Sequence, residues 1–146
     1  METIPINSYV FFTQDTHFDD YLNTYEGVNL PIAHCVHATW GWQIPEILLY
    51  NLAHCNPDNI KFRTKSAFGS EELLDDIEKL QLRQIDEIEI CGLCTDMCVI
   101  TNALLIKTRF PDVLVSVNAK CCAGSTPELH QSALDVMKAC HIKIIE

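Results

Sequence analysis

The sequence predicts an α/β fold, a three-layer αβα sandwich around a mostly parallel sheet, and three observations carry that expectation. Five short runs rich in β-branched and aromatic residues have the length and composition of strands: "SYVFFTQ" (8–14), "NIKFRTK" (59–65), "EIEICGL" (87–93), "DVLVSVN" (112–118) and "IKIIE" (142–146). Helix-like segments lie between them, and strands that alternate with helices form parallel sheets covered on both faces. The chain has 146 residues and is 48% hydrophobic, the size of one domain with a core of its own.

The first strand run passes into residues 15–42, "DTHFDDYLNTYEGVNLPIAHCVHATWGW", a Gly/Pro/Asn/Asp-punctuated stretch that holds two Trp and three His. Long ordered loops in compact domains are usually functional. After the second strand run, "SEELLDDIEKLQLR" (70–83) predicts a helix capped by Ser70, with acidic residues in its first turn and a stripe of Leu73, Leu74, Ile77 and Leu80. The third run leads into a helix over "CVITNALLIK" (98–107). Beyond the fourth, "STPELHQSALDVMKAC" (125–140) predicts a helix with Thr126 as cap, Pro127 at its first position, and a stripe through Leu129, Ala133, Val136 and Met137. No internal repeat or low-complexity linker interrupts the pattern, and residues 1–146 are expected to form a single domain.

A net charge of −10 with 10 scattered basic residues offers no stripe to neutralise phosphates, so neither nucleic acid nor an anionic membrane surface is an expected partner. No apolar run approaches the roughly 18 residues needed to span a bilayer, and no export signal opens the chain; the expected location is the cytoplasm. The eight cysteines lie inside strand and helix patterns rather than in a small secreted framework, so most are expected to be reduced and buried.

The segment "EIEICGLCTDMCVITNALLIK" (87–107) places Cys91, Cys94 and Cys98 where a strand turns into a helix. In parallel sheets the ligand crevice lies at the carboxyl ends of strands. A thiol at the first turn of the following helix feels the positive end of the macrodipole, which favours the thiolate. Backbone N–H groups of the same turn can hold a developing oxyanion. Three other readings stand beside this one. A structural zinc site wants a second thiol pair at similar spacing, and adjacent Cys121 and Cys122 suit tetrahedral ligation poorly. A redox pair places its first cysteine at the helix start, whereas Cys91 lies within the strand and is expected to be core. All three thiols can also simply pack as small apolar side chains.

Taken together, "FFTQDTH", "LPIAHC", "KSAFGS" and "CGLCTDMCVITNAL" resemble, in order and spacing, the isochorismatase-like cysteine hydrolases, a superfamily that includes nicotinamidases. The resemblance runs from about residue 8 to the C-terminus. It implies Cys98 as nucleophile, an oxyanion hole from the N–H groups of Cys94 and Cys98, and a non-proline cis peptide at Leu93–Cys94. Lys65 matches the catalytic lysine, with Phe68 following at the family spacing; an ammonium beside a thiol favours its ionised form. Asp15, His17 and His34 match the metal triad of nicotinamidases, a carboxylate and two imidazoles that suit zinc, iron or manganese. His37 and His54 are bystanders in this reading. A small amide is the implied substrate, with a nicotinamidase-like one preferred.

One departure from the family pattern is plain. The family's first strand ends in an aspartate that serves as general base, within a pattern like Asp-x-Gln-x-x-Phe, and lies in the middle of the sheet. Here "METIPINSYVFF" runs directly into the second strand, so that aspartate and that central strand are absent from this chain. Unpaired backbone groups in an apolar interior are costly. Four solutions are open: the flanking strands pair directly, another chain donates a strand, the N-terminal residues loop back, or the chain is a fragment of a longer protein. Exposed strand edges also predict a homo-oligomer. The alternative function is a catalytically impaired relative that binds a small molecule or metal as part of an assembly.

Overall fold

Two parallel sheets, each with its own helices, make up the computed structural model. It describes residues 4, 5, 7–53, 55–80 and 85–146; His54 and residues 81–84, the expected end of the helix opened by Ser70, lie outside the described residues. The α/β class and parallel pairing follow the sequence pattern. Among the described residues the strands form a two-stranded and a three-stranded sheet. The chain divides into two compact units, Met1–Ala67 and Phe68–Glu146.

In the first unit, β1 (Val10–Asp15) pairs in parallel with β2 (Ile60–Lys65), in a register that runs from Val10 opposite Ile60 to Asp15 opposite Lys65. Phe12 stacks on Phe62 with ring centroids 4.9 Å apart, the cross-strand aromatic pairing that stabilises neighbouring strands. The connection contains a 3-10 turn (Tyr21–Asn23), the short helix α1 (Tyr25–Asn29), a second 3-10 turn (Trp40–Trp42) and the short helix α2 (Glu46–Tyr50). Thr24 caps α1 by accepting from the Gly27 N–H. The Tyr21 side chain is fully buried, and its hydroxyl donates to the Leu30 carbonyl at 3.0 Å. That bond gives the long loop an interior.

The second unit runs α3 (Glu71–Glu78), β3 (Glu87–Leu93), a π-helical turn (Thr95–Val99), α4 (Ile100–Arg109), β4 (Leu114–Ala123), α5 (Pro127–Ala139) and β5 (Lys143–Ile145). The strands lie in the order β3-β4-β5, all parallel. The connections between successive parallel neighbours contain α4 and α5, which meet each other as well as β4. Ile106 of α4, Met137 of α5, Val115 and Val117 of β4, and Ile142 are each 2% exposed or less. Ser70 and Thr126 cap α3 and α5 as their positions predict, accepting from the N–H groups of Leu73 and Leu129.

Three expectations about packing are corrected. Leu129 and Val136 are exposed, and the buried stripe of α5 is Ala133, Leu134 and Met137. Cys91 is exposed rather than core: along β3, Glu87, Glu89, Cys91 and Leu93 face outward while Ile88, Ile90 and Gly92 are half-buried. The period of two places Cys91 with the glutamates. All eight cysteines are free, as expected, but only Cys55 is buried. The β3–β4 register also jumps, from Ile90 opposite Val117 to Gly92 opposite Cys122. Gly92 takes φ +133° at this irregularity, a conformation that suits glycine.

Among the described residues, no helix is long and apolar enough to cross a membrane. The packing of α4 generates a stability prediction. Ile106→Ala removes a buried side chain from the centre of the second unit and is expected to cost about 2–5 kcal/mol. Urea unfolding followed by circular dichroism measures it.

Candidate functional site

Two groups of side chains carry chemistry, one in each unit. In the second unit the group sits at the carboxyl end of β3, where the chain must turn from strand to helix within a few residues. The Cys94 carbonyl accepts from the N–H groups of both Met97 and Val99, each at 3.1 Å, and this shared acceptor closes the π-helical turn. The Leu93–Cys94 peptide is cis. Cys98 lies half-buried on the turn, just before α4 begins.

Three side chains tie the turn to its surroundings. Thr95 is fully buried, and its Oγ1 lies 2.8 Å from Nδ1 of His130 in the first turn of α5. Asp96 accepts from the Ser125 N–H at 2.8 Å and from the Ser125 hydroxyl. Asn102 of α4 is buried and donates from Nδ2 to the carbonyls of Cys98 (2.8 Å) and Phe68 (3.1 Å), while its Oδ1 accepts from the Ser70 N–H at 2.9 Å.

The ionisation of neighbouring groups follows from these contacts. Partial burial pushes the Asp96 carboxyl up, but the bonds from Ser125, its own N–H and the charge of His130 outweigh it and hold the group below its ordinary value. Burial pushes the Cys94 thiol up, with the charges of Asp96 and Cys98 adding to it. Cys94 is therefore held as a neutral thiol whose sulfur makes a poor nucleophile.

In the first unit the group forms at the carboxyl ends of β1 and β2. Asp15 ends β1, and its Oδ1 accepts from Nζ of buried Lys65, which ends β2, at 3.0 Å. Lys65 also donates to the Ala67 carbonyl at 2.9 Å. The other oxygen of Asp15 faces imidazoles: Nε2 of His17 lies 3.2 Å and Nε2 of His34 3.6 Å from Oδ2. Glu26, in the first turn of α1, brings Oε1 to 3.8 Å from His17 and 4.0 Å from His34.

One donor atom from each of Asp15, His17, Glu26 and His34 lies within 4.8 Å of the others. Two structural details fit a cation there. His17 Nε2 is buried and has no hydrogen-bond partner, although it points at two carboxylates. The Nδ1 of His34 sits 2.8 Å from the Ile32 carbonyl, which fixes the ring and leaves Nε2 toward the cluster, as in many metal-bound histidines. The local field is negative: burial, then Glu26 and Asp15, push the Tyr21 phenol up from its ordinary value.

The structure thus gathers Asp15, His17, His34 and Lys65 in the first unit, and Cys94 and Cys98 in the second. Sequence reasoning passed over Glu26, whose only signal is a carboxylate in the same loop. It also missed Asn102 and His130, which look like ordinary helix residues until the contacts are known. His37 stacks edge-on against Trp42 with ring centroids 4.8 Å apart, outside the cluster.

A parallel α/β scaffold that seats a thiol where a strand becomes a helix, and that groups imidazoles with carboxylates at strand ends, is the scaffold of a hydrolase with a mixed α/β fold. The chain belongs to the isochorismatase family: the model of the Isochorismatase domain matches residues 5–146. The structure is similar to that of nicotinamidase PncA from Bacillus subtilis, with 27% identity, a TM-score of 0.76, and coverage of 96% of this chain and 76% of that one. It is similar in fold to the pyrazinamidase/nicotinamidase from Streptococcus mutans (24% identity, TM-score 0.72, 94% and 75% covered). A third likeness in fold is to the Pyrococcus horikoshii pyrazinamidase in complex with zinc (23% identity, TM-score 0.71, 93% and 74% covered). Curated protein sequences give no significant match.

The bonds of Asn102 give a test of how the thiol's turn is held. Asn102→Ala strips partners from three backbone groups at once, and at about 1 kcal/mol for each lost bond the expected cost is about 2–4 kcal/mol. Chemical denaturation of the variant measures it.

Proposed function

We propose that the chain is a cysteine hydrolase that cleaves the C–N bond of a small amide, with a nicotinamide-like aromatic carboxamide as the preferred substrate class. The observation that carries this reading is the seat of Cys98, on a tightly hydrogen-bonded turn at the carboxyl end of a parallel strand. The Cys98 sulfur attacks the carbonyl carbon and the π electrons move onto oxygen, where the N–H groups of Cys94 and Cys98 hold the oxyanion. Collapse of the tetrahedral species breaks the C–N bond; the amine leaves with the proton that the thiol gave up, and a thioester remains. Water then attacks the thioester, releasing the acid and restoring the thiol. Lys65 takes the catalytic role that its motif assigns. The likeness to nicotinamidases supports the substrate class.

The cluster of Asp15, His17, Glu26 and His34 offers two nitrogens and two carboxylate oxygens, a donor set for zinc, iron(II) or manganese(II). Such an ion, when bound, supplies Lewis acidity and an open position for a donor atom. The chain's own part is to hold the imidazoles in one orientation, which the His34–Ile32 bond does.

A second reading rests on a specific observation. Among the described residues β1 pairs only with β2 and β3 only with β4. In this reading the protein binds a small molecule or metal as a subunit whose partner supplies a strand. Self-association belongs to both readings, supported by exposed Trp40, Ile47, Leu48 and Tyr50.

Two measurements decide. Mass-mapped alkylation with iodoacetamide at pH 7 is expected to label Cys98 well ahead of exposed Cys140, and the chain is expected to release ammonia from nicotinamide. Cys98→Ala is expected to lower that release by at least about 1000-fold. Cys98 labelling no faster than Cys140 overturns the hydrolase reading, whereas fast labelling without turnover of any small amide favours the binding subunit. For the cluster, zinc titration is expected to saturate at one ion, with His17→Ala costing on the order of 100-fold in affinity and Glu26→Gln about 10-fold. A chain that takes up no transition metal removes these residues from the ligand role.

A further inference from the structure

Outside the residues already given roles, the strongest convergence of contacts lies behind the Cys98 turn, on the side of α5. We infer that His130 is a positioning residue for the nucleophile: by holding the buried hydroxyl of Thr95, it fixes the turn on which Cys98 sits. The inference rests on the reading of Cys98 as the reactive thiol.

Three independent observations support it. The first is the hydrogen bond between Thr95 and His130, 2.8 Å long and reaching across 35 residues of sequence. Thr95 is 0% exposed, so its hydroxyl has no access to water as an alternative partner. Losing the imidazole therefore leaves a buried hydroxyl unsatisfied, and such a group is driven to move rather than stay. Thr95 is the first residue of the π-helical turn, and its carbonyl accepts from the Ile100 N–H at the start of α4. A shift there moves both ends of the turn that carries Cys98.

The second is a parallel tether one residue on. Asp96 accepts two bonds from Ser125, which stands two residues before α5. Consecutive residues of the nucleophile's turn are thus anchored to one short region, the β4–α5 connection and the first turn of α5. Two anchors fix rotation of the turn, which one alone does not.

The third is steric. A Cβ built on Gly124 would lie 2.8 Å from the His130 Cβ, 2.9 Å from the His130 Cα and 2.9 Å from Asp96 Oδ1. Only the absence of a side chain at position 124 lets the first turn of α5 close onto the Asp96 side of the turn. His130 itself is held by its N–H donating to the Thr126 carbonyl, within a helix that starts from a capped threonine and a proline. The anchor is rigid where it needs to be.

The geometry separates this role from that of a catalytic base. The imidazole touches Thr95, which is buried, and acts on the thiol through it. What it supplies is placement.

The test uses the whole chain and reads the rate at which iodoacetamide labels Cys98 relative to Cys140, beside a thermal melt by circular dichroism. His130→Ala is expected to slow Cys98 labelling by about 10-fold while Cys140 is unchanged. His130→Asn, which can place an amide group near the Thr95 hydroxyl, is expected to restore the rate to within about 3-fold of the parent. Thr95→Val, of nearly the same shape, is expected to reproduce the His130→Ala loss, and the double variant to add nothing further, since both remove one interaction. Gly124→Ala is expected to slow Cys98 through the same contact.

If His130→Ala melts earlier but labels Cys98 at the parent rate, His130 is merely a packing residue and the inference is overturned. Additive effects of the Thr95 and His130 changes overturn it as well. Should the parent chain label Cys98 no faster than Cys140, the reading of Cys98 as the reactive thiol fails and the inference falls with it. That outcome is visible in the parent alone, so the two failures are distinguishable.

Discussion

The carbonyl of Cys94 accepts two N–H groups, from Met97 and Val99, and this shared acceptor converts the end of β3 into the start of α4. A regular α-turn would offer it one. The wider π-type turn places an extra residue between strand and helix, and such turns recur at functional positions because they aim a side chain that a regular helix would point elsewhere. Here the turn carries Cys98. The surrounding polar contacts make sense as supports for that geometry: Asn102 takes up the Cys98 carbonyl, and Thr95 and Asp96 are tied to the region that opens α5. Few of these bonds stabilise a regular element. They hold an irregular one in place.

The first unit solves a different problem, that of concentrating charge without paying the full cost of burial. Asp15 divides its carboxylate, one oxygen toward the Lys65 ammonium and the other toward two imidazoles. Two carboxylates, those of Asp15 and Glu26, belong to the cluster, and Lys65 pairs with the first. A buried charge is tolerated when it is paired or when it coordinates a cation. The lysine accounts for one of the two. The unsatisfied His17 nitrogen faces both carboxylates.

How much of this was legible in the sequence depended on the range of the interaction that decides each feature. Ser70 and Thr126 were readable as caps because a cap is a bond to a residue three positions away. The limits of β3 were readable for a similar reason, since its composition is local. The buried face of α5 was not, because which of Leu129, Leu134 and Val136 turns inward is set by the rotation of the helix against β4 and β5. Cys91 had both an apolar neighbourhood and a strand period to obey, and the period won. The motif residues Asp15, His17, His34, Lys65, Cys94 and Cys98 could be named because resemblance carries long-range information that periodicity lacks. Glu26 and His130 lie outside the quoted motifs, and only the folded chain brings them to the cluster and to the turn.

The same contacts give three nearby cysteines different surroundings. Two thiols close to each other and to a carboxylate cannot both ionise without mutual repulsion. Around this turn the repulsion is placed on Cys94, whose thiol is pushed up by its burial and then by the charges of Asp96 and Cys98. Its thiol is thereby held in the neutral form. Cys91, two residues before the cis peptide, faces outward on the strand with Glu87 and Glu89, away from the half-buried side. Asp96 is the remaining negative charge, and the two bonds from Ser125 engage both of its oxygens. A carboxylate so engaged keeps a fixed place and a lowered affinity for protons, so it stays an anchor and is ill suited to act as the base.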